Sequence, residues 1–152
     1  DDLALNKEEI NLNEILENLV QKHQTLAPEK SIRFTALREN NWILGDAFHL
    51  DNALNNLLDN AVKYGGDTIE VTLNSRNGSY RILVSDSGTS LSKAEAKQIF
   101  EKFYRVPKGN THDVKGFGIG LYYTQKIIEK HGGSIDVSVT SQTTFKIELP
   151  NA

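Results

Sequence analysis

The chain has 152 residues, no cysteine and a formal net charge of -3, with 38% hydrophobic and 24% charged residues. That balance fits one ordinary globular domain with a core of its own, and argues against disorder and against nucleic acid as the main partner. Disulfides, thiolate metal sites and a cysteine nucleophile are excluded, four scattered histidines make no zinc site, and no apolar run approaches the ~18 residues of a membrane span.

The opening Asp1-Asp2 reads as a boundary, with any membrane segment outside the chain. Leu12, Ile15, Leu16, Leu19 and Val20 keep the rhythm of an amphipathic helix capped by Asn11 or Asn13 and stopped before Pro28. Short strands fit Ser31–Leu37 and Trp42–Leu44. Asp46 caps a second helix, whose buried stripe is Leu50, Ala53, Leu54, Leu57, Leu58 and Ala61 and whose end is Gly65-Gly66. Thr68–Leu73 and Tyr80–Val84 alternate in polarity around Asn77-Gly78, which predicts a hairpin. A short helix fits Lys93–Phe100, and an aperiodic charged stretch, 101–119, has the length of a functional lid. Gly116–Gly120 opens a third long helix to about His131, closed by Gly132-Gly133, and strands Ser134–Val139 and Thr143–Leu149 finish the chain. The expected fold is α+β: a two-layer sandwich with a mixed, mostly antiparallel sheet and three main helices on one face.

At ~100° per residue, His49, Asn52, Asn56, Asn60 and Lys63 fall in one narrow stripe beside the apolar face of the second helix. A solvated face would sooner carry Glu or Lys, because Asn is a mediocre helix former. An Asn amide offers a carbonyl to a hard cation and an NH₂ to a phosphate oxygen, and Lys63 adds a positive charge one turn on. Gly116-Phe117-Gly118-Ile119-Gly120 follows a loop with Arg105, Lys108 and Lys115 and opens a helix, so backbone and helix dipole both suit an anion. It follows no strand and carries no Gly-Lys signature, which excludes the dinucleotide-fold and P-loop readings. Asp86-Ser87-Gly88 ends a strand: the Asp serves a turn or accepts a hydrogen bond from an adenine amino group, with the glycine leaving room for the base.

In order and spacing these segments resemble the boxes of the catalytic, ATP-binding domain of bacterial sensor histidine kinases, within the wider Bergerat-fold ATPase group. The N box is Asn56-Leu57-Leu58-Asp59-Asn60-Ala61-Val62-Lys63-Tyr64, and the first glycine box is Asp86-Ser87-Gly88. Phe100 to Arg105 form the F box, and Gly116 to Gly120 the second glycine box. His131-Gly132-Gly133 and the closing Leu149-Pro150 match the family's tail, and the similarity spans nearly the whole chain.

The resemblance implies roles. Asn56 and Asn60 would hold Mg²⁺ on the triphosphate, Lys63 would pair with phosphate and Tyr64 would lie against adenine or ribose. Asp86 would bind the adenine amino group above Gly88. Phe100 and Phe103 would anchor the ATP lid, and Arg105 would clamp the γ-phosphate. Lys115, Gly116, Gly118, Gly120 and Leu121 would complete the phosphate end, and Thr143 the opposite wall. Residues 1–10 would be a remnant of the connection to a dimerisation and phosphoacceptor domain. That domain and a response regulator would be the partners of a cytoplasmic, monomeric fragment whose parent is anchored in the inner membrane.

Two positions depart from the pattern. Ser90 stands where a second glycine is usual, and Ser141-Gln142 replace a later glycine patch. A degenerate docking module of the same fold therefore stays open as an alternative. Relatives that hydrolyse ATP carry Glu four residues before the invariant Asn; here that position is Asn56, and an amide takes no proton at neutral pH. None of His23, His49, His112 and His131 has the family's phosphoacceptor context, so the acceptor histidine is expected on a separate domain.

Overall fold

The computed structural model describes residues 4–88, 92–101 and 119–150. In chain order these form β1 (Glu8–Asn11), α1 (Leu12–Leu26), β2 (Ser31–Ala36), β3 (Trp42–Gly45), α2 (Ala47–Tyr64), β4 (Thr68–Arg76) and β5 (Ser79–Asp86). There follow α3 (Lys93–Ala96), α4 (Ile119–Lys130), β6 (Ser134–Val139) and β7 (Thr143–Pro150). The main sheet runs β2-β4-β5-β7-β6, parallel at β2–β4 and antiparallel elsewhere, while β1 and β3 form a separate antiparallel ribbon.

Period-two alternation builds the sheet's inner face. Tyr80, Ile82 and Val84 of β5 lie opposite Leu149, Ile147 and Phe145 of β7, and all six are buried. Arg81 and Glu148 share the outer face, joined at 2.8 Å. Helix α2 packs against both α1 and α4, and the three helices cover the inner face to make the expected two-layer sandwich. Leu12, Leu50, Leu57, Leu121 and Ile128, all fully buried, form the helix side of the core.

Asn77 and Gly78 both take positive φ, 50° and 79°, as a two-residue hairpin turn requires. The ladder runs past the predicted ends because Asn74, Ser75 and Arg76 pair through their backbones with Arg81, Tyr80 and Ser79. Asn11 proves to be the cap of α1. Asn13 is instead buried, donating to the Arg38 carbonyl at 2.7 Å and accepting from the Asn41 amide at 2.7 Å. The predicted helix over Lys93–Phe100 is α-helical only to Ala96, and i to i−3 bonds at Gln98 and Glu101 tighten the rest. Ile99 is fully buried there and Phe100 meets Phe145 edge-on at 6.3 Å, so packing of these anchors sets the segment. Strand β1 was not anticipated. It lies in the stretch 1–10 expected as a connection, and only Ile10 of its four residues is buried.

A buried polar hub ties the domain together at the start of α2. The Asp46 carboxylate accepts from His49 N–H at 3.0 Å, capping the helix, and from Asn6 N–H at 2.7 Å. These bonds, Asn6 first, hold its pKa below the usual carboxylate value. Asp46 N–H donates to Nε2 of His131 at 3.0 Å, while His131 Nδ1 lies 2.8 Å from the Ile127 carbonyl. The imidazole is therefore neutral, protonated on Nδ1, and bridges the end of α4 to the start of α2. Gly132, at φ 81°, turns the chain out of α4.

Burial above all lowers the His131 pKa from 6.5, helped by the Lys7 charge and opposed by the hydrogen bond to the Ile127 carbonyl and, less, by Asp46. Below that value the unfolded chain takes up a proton that the folded one refuses, so this contribution to stability is complete above 6.5 and falls away on acidification. His131→Gln keeps an acceptor for Asp46 N–H without that titration. Thermal melts from about pH 7 to about pH 5 should fall more steeply for the wild type than for the variant; parallel slopes would show that His131 does not set the acid limb.

Candidate functional site

Helix α2 places the polar stripe. With the apolar stripe against the core, Asn60 is 5% exposed, Asn56 half-buried, and Asn52 exposed. Asp59 and Lys63 pair at 3.0 Å across one helical turn, both largely solvated, a contact that adds little stability. Tyr64, half-buried, packs against the edge of the core.

Where α2 stops, its Gly65-Gly66 corner meets Asp86-Ser87-Gly88 at the end of β5. Asp86 is buried, and the N–H groups of Gly88 and Gly66 donate to its Oδ1 at 2.8 and 3.3 Å. Ser87 stitches the same corner to β4: its N–H donates to the Thr68 carbonyl at 3.0 Å, and its Oγ accepts from Thr68 N–H at 3.2 Å. The three glycines are required by close approach. A Cβ on Gly65 would stand 2.5 Å from Asp86 Cγ, one on Gly66 2.7 Å from Gly88 N, and one on Gly88 2.6 Å from Gly66 N. Thr143 faces Asp86 across the β5–β7 register and is buried, its hydroxyl donating to the Gly88 carbonyl at 3.3 Å.

Burial raises the Asp86 pKa, and the Gly88 and Gly66 N–H groups and the Lys30 charge oppose that rise. A desolvated carboxylate held by two N–H groups has the character of a binding-site acceptor. Asn60 lies five residues before Gly65, about 7–8 Å along the helix, with Asn56 a turn, about 6 Å, further. The buried acceptor thus stands at one end of a line of amides.

Asp86, Gly88 and Thr143 are brought together, with Asn60, Asn56, Lys63 and Tyr64 on the adjoining helix. Leu121 is fully buried among core residues, and Gly120 lies in the first turn of α4. Arg105, Lys115, Gly116, Gly118, Phe103 and Ser90 lie outside the described residues. Two parts of the corner escaped the sequence reading. Gly65-Gly66 does more than stop the helix, and a double glycine exceeds what a stop needs. Lys30, whose ammonium reaches the Gly66 and Gly65 carbonyls at 3.0 and 3.4 Å, carries no sequence signal.

The family described as histidine kinase-, DNA gyrase B- and HSP90-like ATPase matches residues 45–152. The sensor protein RprX of Bacteroides fragilis is 37% identical over 97% of this chain, and the sensor protein SrrB of Staphylococcus aureus is 33% identical over 97%. The chain spans 30% and 26% of their lengths. The solved catalytic domain of histidine kinase ThkA superposes with a TM-score of 0.83 at 26% identity, covering 96% of each chain. The chain belongs to the histidine kinase-, DNA gyrase B- and HSP90-like ATPase family, as an ATP-binding catalytic domain of the sensor histidine kinase kind.

Proposed function

We propose that the domain binds Mg-ATP and passes the γ-phosphoryl group to a histidine nitrogen on a separate dimerisation domain. One P–O bond of ATP breaks, a P–N bond forms, and ADP leaves. The observation that carries this reading is the buried Asp86 carboxylate in its glycine corner at the head of the Asn60–Asn56 stripe.

Asp86 would accept the adenine amino group on Oδ2, since Gly66 and Gly88 N–H converge on Oδ1. Gly65, Gly66 and Gly88 would leave the space for the ring, and Thr143 would steady the Gly88 peptide. Asn60 and Asn56 would present amide oxygens to Mg²⁺, which when bound neutralises phosphate charge. Mg²⁺ would be carried mainly by the triphosphate oxygens. Lys63 would exchange Asp59 for phosphate, and Arg105, Lys115, Gly116 and Gly118 would complete the γ-phosphate end. Catalysis of this kind is positioning and charge neutralisation, with no protein nucleophile.

The nucleophile would come from a separate domain. His131 is locked as a neutral strut, and His23 is buried against Asn55 at 2.8 Å. With Asn56 where hydrolytic relatives keep a carboxylate, that position offers no general base. The partners are then the phosphoacceptor domain of the same kinase and, downstream, a response regulator. No helix among the described residues is long and apolar enough to cross a membrane, and we place the domain on the cytoplasmic side of a parent anchored in the inner membrane.

Calorimetric titration with ATP, with and without Mg²⁺, tests the reading. Binding should need Mg²⁺ and weaken about a hundredfold in Asn60→Ala, the scale of a lost buried polar contact. The domain alone should hydrolyse ATP slowly and phosphorylate a supplied histidine domain. Rapid hydrolysis without an acceptor would overturn the proposal, and absence of binding would favour the docking module.

A further inference from the structure

The best-anchored lysine near the site has no role in the reading above. Lys30 closes the turn between α1 and β2, and its backbone is held twice: its N–H donates to the Ala27 carbonyl at 3.0 Å, and its carbonyl accepts from the Gln24 side chain at 2.6 Å. Gln24 also accepts from Ile32 N–H at 2.9 Å, and Ser31 N–H donates to the Asp67 carbonyl at 2.8 Å, so both flanks of the turn are fixed. From this rigid base the ammonium reaches the carbonyls of Gly66 and Gly65 at 3.0 and 3.4 Å. A cation is favourable there, just past the C-terminus of α2.

These two peptides are the ones whose atoms border Asp86 and Gly88. The Gly66 N–H is one of the two donors on Asp86 Oδ1, and the Gly65 and Gly66 backbones lie against Gly88. Without Lys30, Gly65 N–H still donates to the Ala61 carbonyl at 2.9 Å, but Gly66 is tied to Asp86 by a bond that at 3.3 Å is the longer of the pair on that oxygen.

We propose that Lys30 is a positioning residue for base recognition: it pins the Gly65-Gly66 corner so that Asp86 keeps the orientation that selects a purine with an exocyclic amino group. The inference rests on the nucleotide reading above and adds to it a residue that touches no nucleotide. Lys30 acts through Asp86, so its contribution depends on what the base offers Asp86 and not on the phosphates.

The test compares ATP with purine riboside triphosphate, which lacks the 6-amino group, on the wild type, Lys30→Met and Lys30→Arg, with Mg²⁺ present. Lys30→Met should bind ATP about tenfold more weakly, the scale of one charge-assisted hydrogen bond. Its affinity for the analogue should stay within about twofold of the wild type, and Lys30→Arg should restore the preference. Equal weakening for both ligands would place Lys30 on the phosphates or in the general fold and overturn the proposal, as would an unchanged preference in Lys30→Met. A wild type that shows no preference for ATP over the analogue would remove the Asp86 reading itself, an outcome distinct from failure at Lys30.

Discussion

Asp86→Asn should weaken ATP binding at least about a hundredfold while the melting temperature holds or rises. The two effects have one cause. In the fold Asp86 is buried, and its pKa stands above the ordinary 3.8, chiefly because burial penalises the charged form. A group with a raised folded pKa binds more protons folded than unfolded between the two values. Stability therefore drops as pH climbs through that window and stays lower at neutral pH. Asparagine removes the charge, keeps Oδ1 for the N–H groups of Gly66 and Gly88, and so lifts the penalty.

Binding changes the other way, because the amide puts an NH₂ where the adenine amino group needs an acceptor. Calorimetry on the variant, with melts at about pH 4 and about pH 7, separates the two effects. Wild-type melting should lose more than the variant between those values. A variant that binds ATP normally would remove Asp86 from base recognition. One that unfolds would mean that the carboxylate is structural after all.

Gly65→Ala should damage binding and stability together. The added Cβ would stand 2.5 Å from Asp86 Cγ and 2.6 Å from the Ala61 carbonyl oxygen. The second of these is helix backbone, which cannot swing aside, so the end of α2 and the Asp86 carboxylate must separate. Overpacking of this sort costs about 1–3 kcal/mol, and the displaced acceptor should put ATP binding beyond calorimetric reach. Gly78→Ala is the control. Its Cβ meets nothing within 4 Å, and only the φ of 79° is strained, at about 1 kcal/mol. Chemical denaturation and ATP titration of both variants give the comparison. If Gly65→Ala bound ATP as the wild type does, the corner would not be the base pocket.

Much of this was legible in the chain because the relevant signals are local. The 3.6-residue stripe of Leu50 to Ala61, the Asp46 cap, the Asn77-Gly78 turn and the alternation in β5 and β7 are properties of neighbouring residues, and each produced its element. The amide stripe of α2 is local too, since a helix sets Asn56 and Asn60 on one side whatever surrounds it. β1 could not be read this way: Glu8-Glu9-Ile10-Asn11 has one buried apolar residue, and its strand geometry comes from pairing with β3. The end of α3 was misjudged for a similar reason, because contacts of Ile99 and Phe100 with the core overrode the run of helix formers.

The amino-acid sequence by itself determined the elements other than β1 and the end of α3, the two-layer class and the residue types of the candidate site, since periodicity, caps and turn chemistry act over a few residues. Only the tertiary structure decided which of those residues meet. The Gly65-Gly66 corner reaches Asp86, 20 residues beyond Gly66, and Lys30 reaches Gly66 across 36 residues, because the sheet order β2-β4-β5 brings the start of β2 and the ends of α2 and β5 to one end of the sheet. Asp46 and His131, 85 residues apart, meet because α2 packs against α4. Contacts over such separations follow from packing one core, where the burial of Leu57, Ile69 and Ile82 sets the register and the polar groups left at its rim must find their partners there.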